Sequence, residues 1–411
     1  MKTTHLLALL LLTFEIGNAQ AVPFLQFVPS PEGNGMGGIV SPLTTNDPFA
    51  LIGNPAQVGM QSLSRNFGAG FFSPRSNWLP FIANSGITYT ADAAFAGIRL
   101  NQFLEIPFDL SVGLGYSYTQ FDMEDFYARY FHPATGGAGI PEDHANGYTL
   151  GIGIDCGIKV GIGATVRNFR STFAGFVFAS NDVLNTANGT AYDYGVIVSV
   201  PVTRFIPGSK TLVPGIKPVL DVNFSAGRDN VGNMISYADA FQTDPLPRIA
   251  YVGVALQAGV LTNHYGFDWN AISLTIARQG EDVLVWNFPN GTPYYVGGFG
   301  DLNFFRNVIG GRRTDRGGVR KGVEVSLGEF ISFRKGSFDL YSYGQVSTVG
   351  YGLRLRGILN AIEAAGVPFP DDGVIGYFLH HIDIGYDRSK YASSDSGLDQ
   401  TTFSAITVGL R

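Results

Sequence analysis

Residues Leu110-Ser111-Val112-Gly113-Leu114-Gly115-Tyr116-Ser117-Tyr118-Thr119 alternate without a break between apolar and small or polar side chains. Successive strand side chains point to opposite faces of a sheet, so Leu110, Val112, Leu114, Tyr116 and Tyr118 share one oily face. The glycines, serines and threonine share the other. The pattern recurs: Tyr148, Leu150, Ile152 and Ile154 alternate with Thr149, Gly151, Gly153 and Asp155, and Ile158, Val160, Ile162 and Val166 alternate with Lys159, Gly161, Gly163 and Arg167. A soluble sandwich buries its apolar face and wets its polar one. Here the face opposite the oily one is crowded with glycine and holds charges along most of the chain, as in a closed barrel whose oily side meets lipid.

Lys2, an apolar core from Leu6 to Phe14 and the small residues around Ala19-Gln20-Ala21 have the three parts of a signal peptide, so residues 1–21 are expected to direct export. Beyond them no run approaches the roughly 20 apolar residues of a transmembrane helix, so membrane insertion must be by strands. Residues 22–65 do not alternate, whereas 66–411 do. The expectation is an all-β chain: a transmembrane outer-membrane β-barrel of about 14 antiparallel strands over 66–411, with 22–65 forming a short helical and turn plug, or hatch. Strands are predicted near Phe67 and over 87–100, 110–119, 147–154, 158–167, 194–203, 216–227, 249–260, 271–278, 321–331, 348–357, 380–387 and 403–411. Segments 283–288 and 338–346 are further candidates.

Composition agrees. The chain has 54 glycines, 32 phenylalanines and 19 tyrosines against only 15% charged residues, a lipid-facing profile rather than a soluble one. A net charge of -6 offers no basic stripe for phosphates, which excludes a nucleic-acid partner. The single cysteine, Cys156, cannot form an internal disulfide. Ile154 and Ile158 share a parity, which predicts a three-residue hairpin, Asp155-Cys156-Gly157, with glycine at a positive φ. The segments flanking that hairpin, 120–146 and 168–193, are long. Tight turns on one rim and long loops on the other place the hairpin in the periplasm and the loops outside. The loop 289–319 sets Phe299, Phe304 and Phe305 beside Arg306, Arg312, Arg313 and Arg316, a surface suited to lipopolysaccharide phosphates or a partner protein. Tyr116, Tyr118, Tyr148, Tyr194, Tyr351 and Tyr386 suit an interfacial girdle. The inward set includes Arg99, Lys159, Arg167, Lys217, Asp221, Glu324, Arg354, Arg356 and Asp383, and buried charges need partners or water, so the lumen must be wet or hold a polar plug.

Catalytic and metal chemistry find no footing. None of the six histidines has zinc-site spacing, and His380 and His381, read as strand neighbours, face opposite ways. No Gly-x-Ser-x-Gly elbow occurs, and Gly297-Gly298-Phe299-Gly300 lacks the helix and lysine of a phosphate loop. No enzyme, metal or cofactor is expected.

The segment before the barrel carries the most specific words: Pro23-Phe24-Leu25-Gln26-Phe27, then Gly35-Met36-Gly37-Gly38, then Asn46-Asp47-Pro48-Phe49-Ala50, then Asn54-Pro55-Ala56 and Gly59. In this order they resemble the opening segment of the PorV/PorQ family of outer-membrane barrels, which are similar in fold to the FadL fatty-acid transporters. The resemblance implies a hatch inside the barrel, with Gly35, Met36, Gly37, Gly38, Asp47, Asn54, Pro55 and Ala56 as ligand-binding or hatch residues. It also implies a non-catalytic accessory role in type IX secretion, docking or shuttling exported proteins among the other secretion proteins. The alternative is FadL-like transport of a hydrophobic small molecule, such as a fatty acid or an aromatic, with Phe49, Leu51, Ile52 and Met60 beside Asn54 lining the pocket. On the residues alone, Asn54 caps the short helix that Pro55 starts.

Overall fold

The structure, a computed structural model, describes residues 21–80, 86–125, 142–174, 184–206, 216–237, 243–264, 267–286, 292–340, 344–364, 366–367, 381–393 and 398–410. Residues 1–20 of the expected export signal at 1–21, the 126–141 segment with its aromatic residues, and His380 lie outside them.

The alternating runs form β1 (Phe67–Phe72), β2 (Ser76–Trp78), β3 (Ile87–Arg99), β4 (Asp109–Asp122), β5 (Glu142–Asp155), β6 (Lys159–Ala174), β7 (Leu184–Pro201), β8 (Ile216–Gly232), β9 (Ile249–His264) and β10 (Phe267–Val283). After a two-residue ribbon, β11 (Val285–Trp286) with β12 (Tyr294–Tyr295), come β13 (Gly318–Leu327), β14 (Ile331–Leu340), β15 (Gly344–Arg354), β16 (Ile382–Ala392) and β17 (Thr402–Leu410). From β2 to β10 and from β13 to β17 each strand pairs antiparallel with the next, and β10 pairs antiparallel with β13. The sheet closes because β1 pairs on one side with β17, Phe67 facing Leu410, and on the other with β3, Phe67 facing Ala96. Beyond the break at 73–75, β2 continues β1 along β3, Ser76 facing Tyr89. Among the described residues the barrel therefore has 14 staves, an even number as expected.

The parity holds along the wall. Leu114, Leu150 and Ile162 are 65%, 50% and 56% exposed on the outside, while Gly113, Gly151 and Gly163 are buried. Closure satisfies every edge, which is what lets strands cross lipid. The long-loop rim carries 123–141, 175–183, 233–248 and 284–317; the opposite rim carries 156–158, 265–266 and 328–330. Three connections on that second rim are longer, 100–108, 202–215 and 355–381, the last beginning with a helix at Leu355–Ala364. The hairpin after β5 sits one residue later than expected. Asp155 pairs with Lys159, the turn is 156–158, and Gly157 takes φ +105° with its N–H donating to Asp155 Oδ1.

Several predicted strands need correction. The segment 338–346 is not one strand but the paired ends of two, with 338–340 closing β14 and 344–346 opening β15, and 321–331 runs through a turn at 328–330. Of the segment 283–288, Val283 ends β10 in the wall and Val285–Trp286 form one side of the small ribbon. Most strands on the long-loop side extend further than read, as with β5 to Glu142 and β7 back to Leu184. Above the lipid the outward residues turn polar, as at Asn146, Asn168 and Thr190, and the two-faced pattern fades although the ladder continues. Arg356 lies in the helix after β15, and His381 precedes β16 instead of lying within it.

Candidate functional site

Residues 21–66 thread the lumen from rim to rim. At the long-loop end Ala21 N–H donates to Pro245 O; at the other end Asn66 N–H donates to Leu410 O and its carbonyl accepts from Gly97 N–H. Between them lie a 3-10 turn at Pro23–Gln26 and helices at Pro31–Gly35, Ala50–Gly53 and Ala56–Ser62, almost wholly buried.

The inward glycines explain how a peptide backbone fits against a barrel wall. Helix Ala56–Ser62 lies on β4, β5 and β6, where side chains on Gly151, Gly153 and Gly163 would strike the backbone of Gly59, Pro55 and Ala56. A Cβ on Gly59 would in turn strike the backbone of Ile152. The Gly35-Met36-Gly37-Gly38 word meets a second set of glycines on the far wall. Gly322 and Gly336 sit against the Met36 backbone, and Gly350 approaches the Gly35 Cα. Gly37 and Gly38 take φ of +78° and +76°, a conformation that leaves glycine nearly alone as an option. Thr348 Oγ1 accepts from Gly37 N–H at 2.9 Å and donates to Gly35 O at 3.0 Å.

Asn54 does what a residue before a helix-starting proline can do, and more. Its Oδ1 accepts from Ala56 N–H at 3.1 Å, and its Nδ2 donates to Ser41 O at 3.1 Å and Val196 O at 3.4 Å. Gln57 Nε2 donates to Val40 O, Ser41 O and Leu43 O. The segment 40–43 thus joins the Asn54-Pro55-Ala56 word to the glycine word, although the two face different walls. Asp47 is tied to the glycine side: its Oδ1 accepts from Phe49 N–H, and its Oδ2 accepts from Ser30 Oγ at 2.5 Å. Ser30 Oγ also accepts from Gly33 N–H, capping helix Pro31–Gly35.

An ion cluster bolts this side to the barrel. Arg334 on β14 reaches Glu324 at 2.5 Å, Asp387 at 2.6 Å and hatch Glu32 at 3.5 Å, and Arg354 reaches Asp387 at 2.7 Å and Glu32 at 3.3 Å. Two guanidiniums face Glu32, Glu324 and Asp387, with Asp47 close by, so negative charge is in surplus. Burial, with that surplus, raises the Glu32 carboxyl, and burial together with the Glu32 charge pushes the Asp47 carboxyl up to about 7. Opposite, Arg167 pairs with Asp193 at 2.7 Å and donates to Leu25 O and Ile52 O, while Arg65 pairs with Asp383 at 2.6 Å. Sequence reasoning missed Arg334, because β14 was not read as a strand and its inward parity went unseen. Ser30, Glu32, Gln57 and Gln61 lie between the recognised words and carry no pattern of their own.

The long-loop half of the lumen is aromatic. Phe27 lies 4.5 Å from Trp78, Trp78 5.1 Å from Phe121, Phe121 4.5 Å from Tyr89, and Phe49 5.4 Å from Phe72. A cavity of about 10 Å³, lined by Phe24, Leu25, Phe27, Ile52 and Arg167 among others, lies under the first turn of the hatch. Of the pocket expected around Asn54, Phe49 and Ile52 abut this region, while Met60 packs apart with Ala56 and Ile197. Among the described residues no group of three or more His, Cys, Asp or Glu side chains could hold a metal ion.

Fold and site together define a plugged β-barrel of the outer-membrane type. No known family and no curated protein matches the chain in sequence. Among solved structures it is similar to the toluene transporter TbuX of Ralstonia pickettii, at 10% identity over 94% of this chain and 99% of that one, TM-score 0.39. It is also similar to a FadL homologue of Pseudomonas aeruginosa, at 10% identity over 92% and 96%, TM-score 0.39. The translocator domain of the autotransporter NalP from Neisseria meningitidis compares at 10% identity over 84% and 87%, TM-score 0.36.

Proposed function

We propose that the barrel takes up hydrophobic small molecules through its lumen, and that the first turn of the hatch occupies the place such a molecule takes. The observation that carries this reading is the aromatic lining of the long-loop half. Interiors of open pores are polar, whereas apolar walls with one or two oriented polar groups characterise ligand sites. Phe72, Trp78, Tyr89, Phe121 and Phe403 supply the wall, and the Arg167 guanidinium is the polar group beside it. With the hatch seated, the cavity under its first turn holds about one water. A ligand therefore enters by displacing Pro23–Gln26, whose rings it replaces. The break at 73–75, next to Phe72, offers a way out through the wall into lipid.

The test uses Trp78 as the reporter, with Trp269 and Trp286 replaced by Phe. Quenching by 11-bromoundecanoate is expected to saturate, and Arg167→Gln is expected to weaken it. Quenching that stays linear with concentration rules the reading out.

A second reading has its own support. The loop after β12 exposes Phe305 to 76% together with Arg306, Arg312 and Arg313, a surface a protein partner could grip. With the ordered words of residues 23–60, that suits a PorV/PorQ-type accessory barrel of type IX secretion, docking exported cargo. Pull-down of outer-membrane proteins sharing a C-terminal sorting domain is the expected result, lost in Phe305→Ala with Arg312→Ala. Neither reading makes or breaks a covalent bond.

A further inference from the structure

The outward face of the barrel is not uniform at the edge nearer the long loops. On β4 to β7 the apolar rows end in uncharged residues: Tyr116, Tyr148, Val166 and Tyr192, with Asn146, Asn168 and Thr190 above them. On β8, β10, β13, β14 and β16 they end in cations, whereas β9 and β15 end in Ala250 and Ser347. On β10, Ile272, Leu274 and Ile276 are followed by Arg278; on β13, Leu327, Val325 and Val323 are followed by Lys321; on β14, Ile331 and Phe333 are followed by Lys335. Phe224 and Ala226 on β8 lead to Arg228, and Ile384 and Tyr386 on β16 lead to Arg388. Among the described residues no carboxylate bridges to Arg228, Lys321, Lys335 or Arg388, and Arg278 donates only to Ile309 O. A chain with 33 acidic and 27 basic residues has placed an unneutralised positive crescent on its own lipid-facing wall.

The strap 296–317 turns that edge into a site. It folds down over the outside of β8 to β10 instead of standing in solvent. Asp282, outward on β10 yet buried, accepts from Thr314 Oγ1 at 2.6 Å, Asp301 N–H at 2.8 Å and Arg316 at 3.1 Å, and Phe304 packs 6.2 Å from Phe224. Phe299 of the strap then overhangs a groove of about 450 Å³ on the outer wall, floored by the small outward residues Ala164, Val196 and Ala226 and ended by Arg228. The groove lies one row below Tyr148 and Tyr192, within the outer leaflet.

We infer that this edge binds a phosphorylated, acylated outer-leaflet lipid of the lipid A type, an acyl chain lying in the groove under Phe299 and the phosphates meeting Arg228 and the crescent. Charge complementarity selects this occupant: the cations project from rows flanked by apolar side chains, at the depth where a lipid presents phosphate and where a soluble partner does not reach.

The test is native mass spectrometry of the full chain in detergent with bis-phosphorylated hexa-acyl lipid A. Retention is expected to drop at least tenfold for the dephosphorylated lipid and for the variant Arg228→Gln, Lys321→Gln, Lys335→Gln, Arg388→Gln, and inorganic phosphate at equal concentration should not compete. Ala226→Trp, which fills the groove, should weaken retention with the crescent intact. It serves as the second probe if the fourfold variant fails to fold. Equal retention of both lipids overturns the inference, as does unchanged retention in both variants. A fourfold variant that keeps the lipid but loses a co-purifying protein also overturns it and assigns the crescent to a protein partner.

Discussion

At the scale of single residues, the hatch is held by buried charges whose balance is uneven. Arg334 serves three carboxylates at once, and its planar fork suits that task better than an ammonium does. Arg334→Ala leaves Glu32, Glu324 and Asp387 short of a partner in a buried site, which costs about 3–5 kcal/mol. The expected outcome is a clearly lower denaturation midpoint in detergent, with Arg334→Lys recovering only part of it. Asp47 makes the hatch sensitive to pH. Its carboxyl is held up to about 7 in the folded chain, against an ordinary 3.8, so the folded state binds the extra proton. That contribution to stability is complete below the ordinary value and is lost as the pH climbs through about 7. The melting temperature is expected to fall between pH 4.5 and 7.5, and to fall less steeply in Asp47→Asn; equal slopes would remove Asp47 from the account. Asn54→Ala gives up the Ala56 N–H cap and two donated bonds, a loss of about 1–3 kcal/mol that chemical denaturation would read.

At the scale of elements, the helix Ala56–Ser62 and the strands beneath it are matched by omission: neither has side chains where the other's backbone must pass. Gly59→Val forces the helix off Ile152, and overpacking of this kind costs about 1–3 kcal/mol. The strain lands on the hatch, because the wall is tied by ladders on both sides. Trypsin cleavage after the buried Arg65 is therefore expected to rise sharply in Gly59→Val and to stay unchanged in Gly297→Ala, whose added methyl meets open space. Strand identity was legible wherever both faces differed, as in β4 to β6. It was illegible in β14, where Ser332, Arg334 and Gly336 give no clear inward contrast to Phe333 and Lys335. Strand ends above the lipid were illegible too, because a ladder in water needs no apolar face.

At the scale of the whole molecule, a lumen filled from rim to rim separates barrel integrity from passage. The seated chain is expected to pass no steady ionic current in planar bilayers, since the mostly buried segment 21–66 runs through the lumen from rim to rim. A porin-sized steady conductance from the intact protein would mean the hatch is not seated as described. Gly59→Val is expected to flicker open. The barrel itself should survive these variants, as β1 closes against β17 and β3 without the hatch.

Alternation by itself determined the fold class, the facing of most side chains, the three-residue hairpin at Cys156 and an even-numbered antiparallel closure, because period-two patterning against lipid is a local property that every strand must satisfy alone. The ordered words at 23–60 marked the segment that does not belong to the wall. What only the tertiary structure decided is which wall each word meets, that Glu32 and Asp47 share the charges of Arg334 and Arg354, that the strap lies on the lipid face, and that cations gather along one half of the rim. Those depend on contacts between residues separated by hundreds of positions, and nothing in a local pattern encodes which strand closes beside which.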